Sequence, residues 1–570
     1  MKEHKKPIVF VIRHWLILIA LYSGLGVLAA RAVFLQVLNT DYLQAEGDAR
    51  HLRTVHTLPI RGMIMDRNNE PLAVSTPVDS VWAHPDTVLK QGHSWRKLAR
   101  MLEMSPSELK KLCRKNEKRE FVYLKRHLPP KIAEQVMDLK IPGINLVREY
   151  RRYYPTGPAM SHVLGFTNID DQGQEGLELA YNRQLTGISG EQRVLRDRYG
   201  RIVERVENVR SVINGKDLKI SIDSRIQFLA HRHLKTAWRH HRAESASIVI
   251  LDAKTGEVLA MVNEQSFNPN NRDDIQINRI RNRAVTDVFE PGSTVKPFTI
   301  AMALQSGRFG PDTRVDTAPG QLQIGRHRVS DAHDYGLLTV SRVLVKSSNV
   351  GAAKIAMELK PERLFETLKT LGFGVSTNLG LPGEVRGSLP ERHPWRPIEH
   401  ATLAFGYGLS VNTVQLARAY AVLANDGILL PLSIEPIHES ANGVRVMDPR
   451  VVRKVRYMLE HAVGDQGTGR AARVNRYRIA GKTGTVHKIT KSGYADDRYM
   501  AIFAGIAPAS DPWLVMVVVV NDPRGDQYFG GEVAAPIFSK VMAGALRLLN
   551  VPPDLMLQPV HHAKADGADA

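Results

Sequence analysis

A serine and a lysine three residues apart, Ser293 and Lys296, could together carry out acyl transfer. The turn Pro291-Gly292 precedes the serine and the apolar segment 298–304 follows the lysine, so we expect Ser293 to open a helix. Positions i and i+3 share one helical face, which would place the lysine amine beside the hydroxyl. A serine becomes nucleophilic when a base takes its proton, and burial or a neighbouring cation can lower the pKa of a lysine enough for that role. The amides of the first helical turn could then stabilise an oxyanion.

The Ser-x-x-Lys spacing is weak evidence by itself, because the chain contains it three times. The other two pairs, Ser94–Lys97 and Ser107–Lys110, lie among lysines and arginines on segments that are predicted to be solvated amphipathic helices. Only Ser293 combines a glycine turn before it with an apolar helix after it. We therefore assign the nucleophile to Ser293.

A second candidate element is Ser347-Ser348-Asn349, within the segment 339–357 that is predicted to be helical. The Ser347 hydroxyl could relay a proton between a lysine and a leaving amine, and the Asn349 amide could both donate to and accept from a peptide bond. Ser-x-Asn also recurs at 266, 376, 410 and 440. The first of these precedes the nucleophile, two lie in loop-like segments, and Ser410 is interpreted as the N-cap of a helix.

A third element, Lys482-Thr483-Gly484-Thr485, lies on a predicted strand, 478–486. The lysine would set a positive potential, the threonine hydroxyls could bind a carboxylate, and Gly484 could let a ligand approach the backbone. A phosphate-binding loop would need glycine at position 476, which is Arg476, so that interpretation is rejected. No His-Glu-x-x-His pattern occurs, and we expect neither a metal nor another cofactor.

Composition limits the possible classes of protein. At 570 residues the chain is long enough for two or three domains, and its net charge of +19 would suit nucleic acid, an anionic membrane surface or a polyanionic wall. Without zinc-finger spacing or an RNA-binding aromatic motif, we expect no nucleic-acid partner. The single cysteine, Cys113, excludes an intrachain disulfide.

A basic segment, 1–13, precedes an apolar one that contains no Asp, Glu, Lys or Arg from His14 to Ala30. This pattern favours an uncleaved membrane anchor over a cleaved signal peptide. The preceding positive charge predicts a cytoplasmic N-terminus, with everything beyond the anchor on the other side of the membrane.

The remaining chain alternates strand and helix signals. Strands are predicted at 74–83, 162–167, 247–252, 257–263, 501–507 and 513–520, and helices at 105–116, 224–240, 411–426, 451–463 and 534–549. The last strand is nearly continuous valine and should be buried on both faces. The expected fold class is a multidomain α+β protein in which helices pack against an antiparallel sheet.

Ser-x-x-Lys, then Ser-x-Asn, then Lys-Thr-Gly-Thr in this order is the serine acyl-transferase signature of penicillin-binding proteins and β-lactamases. Over nearly its whole length the chain resembles class B penicillin-binding proteins, in particular the division-specific type. Besides the three motifs, the segments that carry the resemblance are Arg61-Gly-Met-Ile-Met-Asp66-Arg67-Asn68, Tyr154-Pro155-x-Gly157, His162-Val-Leu-Gly165-Phe166-Thr167 and Tyr528-Phe529-Gly530-Gly531.

The resemblance implies a D,D-transpeptidase that cross-links peptidoglycan stem peptides at the division septum. Ser293 would attack the D-Ala-D-Ala carbonyl, with Lys296 as general base. Ser347 and Lys482 would relay the proton to the leaving group, and Asn349 would hold the substrate amide.

The same resemblance implies the binding residues. Thr483 and Thr485 would bind the terminal carboxylate, and the backbone amides of Ser293 and Thr485 would form the oxyanion hole. Tyr528 and Phe529 resemble residues of the pocket wall.

The expected domain order is a cytoplasmic tail at 1–13, a transmembrane anchor at 14–36, an elongated non-catalytic pedestal at 45–218, a β-lactamase-like transpeptidase domain at 219–555 and a disordered tail at 556–570. Implied partners are peptidoglycan stem peptides, the lipid bilayer, β-lactam antibiotics and division proteins that include a membrane glycan polymerase. The implied location is the inner membrane, with a single span and a periplasmic catalytic domain.

Two alternatives remain open from the sequence. A D,D-carboxypeptidase or β-lactamase would need a water-activating group, and no convincing Glu-x-x-x-Asn element lies between the second and third motifs. The second alternative is a non-catalytic division scaffold or a β-lactam sensor, although a sensor should carry a cytoplasmic signalling domain.

Overall fold

The computed structural model describes residues 8–43, 52–90, 95–196, 202–438, 442–490 and 493–555. The predicted tail 556–570 and the first seven residues of the predicted tail 1–13 lie outside the described residues. The chain folds into two compact units. The first comprises Met1–Ile60, Pro77–Tyr150 and Gly187–Gly215, and the second comprises Arg61–Thr76, Arg151–Thr186 and Lys216–Ala570.

An apolar helix, Ile8–Val33, continues as a short π-helix, Phe34–Leu38. It has 26 residues, which at 1.5 Å per residue give about 39 Å, more than the roughly 30 Å of a bilayer core. Its large apolar side chains are exposed, and Trp15 is 60% exposed. Within the described part of the chain, this is the one helix that is long and apolar enough to cross a membrane.

The elements before residue 220 are short and mixed. The strands are Leu52–Thr57, Ile64–Met65, Pro71–Ala83, Val122–Leu128, Ile144–Tyr153, Gly190–Arg196, Ile202–Arg210 and Leu218–Lys219. The α-helical segments are Pro85–Leu89, Trp95–Met101, Pro106–Lys115, Pro130–Asp138, Ser161–Leu164, Gly176–Ala180 and Asn182–Thr186, with a 3-10 turn at Gly157–Met160. The strand predicted at 162–167 was therefore wrong, since that segment begins as a helical turn that ends at Gly165, where φ is +74°.

Local capping and apolar burial explain the helices of the first unit. In the helix Pro106–Lys115, Ser105 accepts a hydrogen bond from the amide of Glu108, whose side chain accepts one in return from the amide of Ser105. Leu109 and Cys113 on its inner face are fully buried among apolar side chains of the same unit. The cysteine is thus a small core residue.

A buried ion cluster holds part of the second unit together. Glu178 accepts from Arg61 Nε at 2.7 Å and from Arg152 Nε at 2.6 Å, and all three side chains are nearly inaccessible. These two arginines therefore form structural ion pairs. Removing Glu178 would leave two buried guanidinium groups without this carboxylate.

A five-stranded antiparallel sheet forms the centre of the second unit. Its strands are β1 (Ser245–Asp252), β2 (Val258–Glu264), β3 (Ala480–Thr490), β4 (Gly493–Ala507) and β5 (Leu514–Asn521), in the spatial order β2-β1-β5-β4-β3. Strand β3, which carries the third motif, is therefore at one edge of this sheet, with Lys482 opposite Ala504.

Both faces of the sheet are covered, which confirms the prediction for the valine strand. Alternate residues of β5 belong to two different cores: Val515, Val517 and Val519 pack on one side, and Met516 and Val518 on the other. The helices Ser224–His240 and Gly530–Leu548 cover the second of these faces.

Most of the remaining elements after residue 220 surround the other face, whereas the turn Arg470–Ala472 packs against the helix Gly530–Leu548. The α-helices are Ile277–Ile280, Arg283–Thr286, Lys296–Gln305, Val340–Lys346, Asn349–Met357, Pro361–Thr370, Pro397–Leu403, Thr413–Ala424 and Pro449–Val463, and the 3-10 turns are Arg272–Asp274, Gly292–Val295 and Arg470–Ala472. Short strands are Arg314–Asp316, Gln321–Ile324, His327–Ser330, Leu337–Thr339, Ile428–Leu429 and Val444–Arg445. The helix predicted from 411 begins at Thr413, and its N-cap is Asn412 rather than Ser410.

Candidate active site

Ser293 lies in a 3-10 turn, Gly292–Val295, and the α-helix itself begins at Lys296. The turn that contains Ser293 is therefore tighter than the α-helix that was expected to begin at this residue. Two backbone contacts hold this turn in place. The Gly292 amide donates to the carbonyl of Gly406 at 3.0 Å, and the Tyr420 hydroxyl donates to the carbonyl of Thr294 at 2.9 Å.

The Lys296 amine is fully buried and bonds to the second motif. Its Nζ donates to the Ser347 carbonyl at 2.5 Å, to Asn349 Oδ1 at 2.7 Å and to Ser347 Oγ at 3.2 Å. Among the described residues the Lys296 amine makes no hydrogen bond to Ser293 Oγ, although the two groups were expected to lie side by side. Catalytic hydrogen bonds in ligand-free sites are often long and shorten when the substrate binds.

The second motif lies at a break between two helices, within the segment 339–357 that was predicted to be helical. Ser347 ends the helix Val340–Lys346 in a left-handed conformation, with φ 61° and ψ 34°. Ser348 then caps the helix Asn349–Met357, accepting from the Gly351 amide at 2.8 Å. Left-handed backbone is uncommon outside glycine and concentrates at functional sites. Here it aims Ser347 at the two lysines.

Lys482 completes the polar centre from the edge strand β3. Its amine is fully buried and donates to Ser347 Oγ at 2.8 Å, so that this hydroxyl lies between two lysine amines. Burial lowers the pKa of Lys482 to about 7. Burial and the neighbouring Lys482 hold the pKa of Lys296 well below its usual range, while the carboxylate of Asp331 acts in the opposite direction. A neutral Lys296 can accept a proton at neutral pH.

The threonines of the third motif line the cleft, whereas the glycine between them faces the nucleophile turn. Thr485 Oγ1 accepts from the Gly530 amide at 2.9 Å, and Thr483 Oγ1 lies 2.7 Å from Thr468 Oγ1. A Cβ at Gly484 would lie 3.0 Å from the Thr294 side chain. Gly484 thus allows the nucleophile turn to approach the strand closely.

A cleft of about 750 Å³ opens over these groups. The predicted residues Ser293, Ser347, Asn349, Thr483, Thr485 and Phe529 line it. Phe529 is half exposed, whereas Tyr528 is not part of the lining and packs behind it, with the two ring centroids 4.4 Å apart. The structure therefore brings most of the predicted residues to one cavity and places Tyr528 one layer further back.

Two polar residues at the cleft, Asp331 and Thr468, were not predicted from the sequence. Asp331 Oδ1 accepts from the amides of Asn349 at 2.5 Å and Val350 at 3.0 Å, and its Oδ2 accepts from Ser348 Oγ at 2.5 Å. Thr468 bonds to the third motif as described above. No spacing links either residue to a motif, because both lie on loops that fold back to the site.

Ser293 in the turn that precedes a buried helix, and Ser347 Oγ between two buried amines with lowered pKa values, are groups that a serine acyl transferase uses. The penicillin-binding protein transpeptidase domain matches residues 246–543, and the penicillin-binding protein dimerisation domain matches residues 56–220. The peptidoglycan D,D-transpeptidase FtsI of Escherichia coli (strain K12) is 44% identical over 538 residues, which span 94% of this chain and 91% of that protein.

Solved structures agree with these matches. The transpeptidase domain of penicillin-binding protein 3 from Burkholderia pseudomallei is 42% identical and covers 59% of this chain and 98% of that one, with a TM-score of 0.55. A peptidoglycan synthetase from Bifidobacterium adolescentis is 25% identical and covers 89% of this chain and 98% of that one, with a TM-score of 0.70. The chain belongs to the class B penicillin-binding proteins, the peptidoglycan D,D-transpeptidases.

An Asp331→Asn variant is expected to be acylated by penicillin about 10- to 100-fold more slowly. The carboxylate holds three donors of the second motif, and an amide replaces one of its acceptor atoms by a donor that faces them. The acylation rate measured with a fluorescent penicillin checks this. Asp334→Asn is the matched control, since within the described part of the chain the Asp334 carboxylate bonds only to the Gly336 amide of the same loop, at 2.9 Å. Equal rates for both variants would contradict the assigned role.

Proposed function

We propose that this protein cross-links septal peptidoglycan by serine acyl transfer during cell division and that β-lactams inhibit it covalently. Ser293 Oγ attacks the penultimate D-Ala carbonyl of a donor stem peptide, a C–O bond forms and the C–N bond to the terminal D-Ala breaks. Lys296 takes the hydroxyl proton, and Ser347 with Lys482 passes a proton to the departing amine. The amine of a second stem peptide then forms the new C–N bond, the C–O bond to Ser293 breaks, and a proton returns to Ser293 Oγ.

The observation that carries this proposal is the position of Ser347 Oγ, 3.2 Å from one lysine amine and 2.8 Å from the other. Such a chain of donors and acceptors can move a proton between the nucleophile and a leaving amine without bulk water. Asn349 would hold the substrate amide, and Thr483 and Thr485 would bind its carboxylate beside the charge of Lys482.

Peptide mapping by mass spectrometry after penicillin labelling tests the proposal. We expect one acyl group, on Ser293. Two internal controls are Ser94 and Ser107, which have the same Ser-x-x-Lys spacing and should remain unmodified. An unlabelled protein, or an adduct on any residue other than Ser293, would overturn the assignment.

Penicillin binding before acylation is expected to weaken several-fold as pH rises through about 7. A lysine whose pKa is lowered to about 7 is cationic below that pH and neutral above it, so the attraction for the carboxylate of the drug is lost on the alkaline side. Acylation progress curves at several drug concentrations give this dissociation constant at each pH. Lys482→Arg, which stays cationic, should lose the dependence, and a pH-independent constant in the unmodified protein would contradict the prediction.

For the rest of the chain we propose the expected organisation. Residues 14–36 would anchor the protein in the inner membrane with residues 1–13 in the cytoplasm, residues 45–218 would form the pedestal, and residues 219–555 the periplasmic transpeptidase domain. The pedestal would bind division proteins, including a membrane glycan polymerase. The long apolar helix, Ile8–Val33, supports the anchor. Protease accessibility of residues 45–555 from the periplasmic side in spheroplasts tests the orientation, and protection there would contradict it.

A further inference from the structure

We propose that Gln466 is a positioning residue, which ties the helix that carries Ser347 to the strand that carries Lys482. This inference rests on the proposed function and concerns how the proton relay of that site is held together. Gln466 itself does not touch the cleft, and the helix concerned, Val340–Lys346, has only seven residues. A helix this short has little stability of its own, so tertiary contacts determine its position.

Gln466 receives two hydrogen bonds from one face of that helix. Arg342 Nη1 donates to the Gln466 side-chain oxygen, and Lys346 Nζ donates to the Gln466 carbonyl at 3.1 Å. Residues four apart lie one above the other on a helix, so both bonds hold the same face. The second donor, Lys346, directly precedes Ser347. The position of Lys346 therefore also fixes the backbone position of Ser347.

The segment 464–469 that contains Gln466 also binds the third motif. Two residues further on, Thr468 Oγ1 lies 2.7 Å from Thr483 Oγ1, next to Lys482. Gln466 and Thr468 therefore join the second and third motifs across the back of the cleft.

The connecting segment has little freedom to absorb a shift. The Gly469 amide donates to the Ala462 carbonyl at 2.9 Å, and a Cβ at Gly467 would come within 2.1 Å of that same carbonyl oxygen. A Cβ at Gly531 would likewise lie 2.5 Å from the Thr468 carbonyl. A displacement at Gln466 is thus passed on to Thr468 instead of being taken up between them.

The helix packs on the core of the unit through Val340, Val343 and Leu344, but the side that carries Arg342 borders open space. A cavity of about 440 Å³ lies there, lined among others by Ser341, Arg342, Val345, Tyr457, His461 and Gln466. Because this space is open, the helix can shift towards it once the bond from Arg342 to the Gln466 side chain is lost, whereas the bond from Lys346 to the Gln466 carbonyl does not depend on that side chain. The distance of 2.8 Å between Lys482 Nζ and Ser347 Oγ should then lengthen.

Acylation kinetics of the full chain in detergent test this proposal, because they separate drug binding from the chemical step. For Gln466→Ala we expect the saturating acylation rate to fall about 10-fold, with the dissociation constant of the first complex changed less than about twofold. Arg342→Ala should give the same result, and the double variant should lose little more than either single one, because both remove the same contact. Gln466→Glu keeps the acceptor for Arg342 and should restore the rate.

Arg453→Ala is the matched control, since the side chain of Arg453 bonds, among the residues that the structure describes, only to the Pro449 carbonyl within its own helix, at 3.3 Å. Unchanged acylation rates in both single variants would overturn the positioning role of Gln466 while leaving the proposed function intact. Rate losses that add fully in the double variant, or that Gln466→Glu does not restore, would also overturn it. If penicillin does not acylate the unmodified protein, the proposed function is contradicted, and the positioning role of Gln466 with it.

Discussion

A Lys296→Met variant is expected to form the penicillin adduct about 10³-fold more slowly than the unmodified protein. Lys296 is fully buried, its pKa is held well below the usual range, and no other buried amine of the described residues lies on the nucleophile helix. Methionine fills a similar volume without a base, so Ser293 would retain its proton. The expected loss is that of a general base, in the middle of its usual contribution of about 10²- to 10⁴-fold.

The same variant should unfold with a free energy within about 1 kcal/mol of the unmodified protein. The desolvation cost of a buried amine disappears, but the donors to Ser347 and Asn349 disappear with it, and the two effects oppose each other. Stopped-flow labelling and denaturant unfolding measure the two quantities. Lys354→Met, at a lysine that bonds to the Asp316 carbonyl, is the control with unchanged acylation. A Lys296→Met protein that labels at the normal rate would contradict the role of the lysine.

Gly406→Ala is expected to lower the unfolding free energy by about 3 kcal/mol and to slow acylation at least about 100-fold. Gly406 has φ +88°, and its carbonyl accepts the Gly292 amide. A Cβ there would come within 2.1 Å of the Gly292 carbonyl oxygen. The nucleophile turn would have to move, and Ser293 with it.

The variant Gly408→Ala distinguishes the effect of backbone strain from that of the steric overlap at Gly406. Gly408 also has a positive φ, +78°, but nothing lies within 4 Å of its Cβ position. We expect it to lose only about 1 kcal/mol, the cost of a left-handed alanine, with acylation nearly unchanged. Thermal unfolding and labelling rates measure both variants, and equal effects at the two positions would show that backbone strain alone is responsible.

Motif order and hydrophobic patterning determined much of this protein. The valine strand Leu514–Asn521 is buried on both faces as its composition predicted, and the helix Ser224–His240 has the predicted bounds. Hydrophobic patterns predict these two elements because buried positions recur along a strand or a helical face with the period of that element. The ordered motifs likewise predict Ser293 as the nucleophile among three Ser-x-x-Lys pairs.

Only the tertiary structure decided how those motifs meet. The break at Ser347, the placement of Tyr528 behind Phe529 and the contacts of Asp331 with the second motif depend on neighbours far away in sequence. The polar run Lys346-Ser347-Ser348-Asn349 interrupts the apolar pattern of the segment 339–357, but it does not indicate that Ser347 adopts a left-handed conformation. Left-handed backbone at a serine is locally unfavourable and persists only where surrounding contacts impose it, so local propensity points away from it.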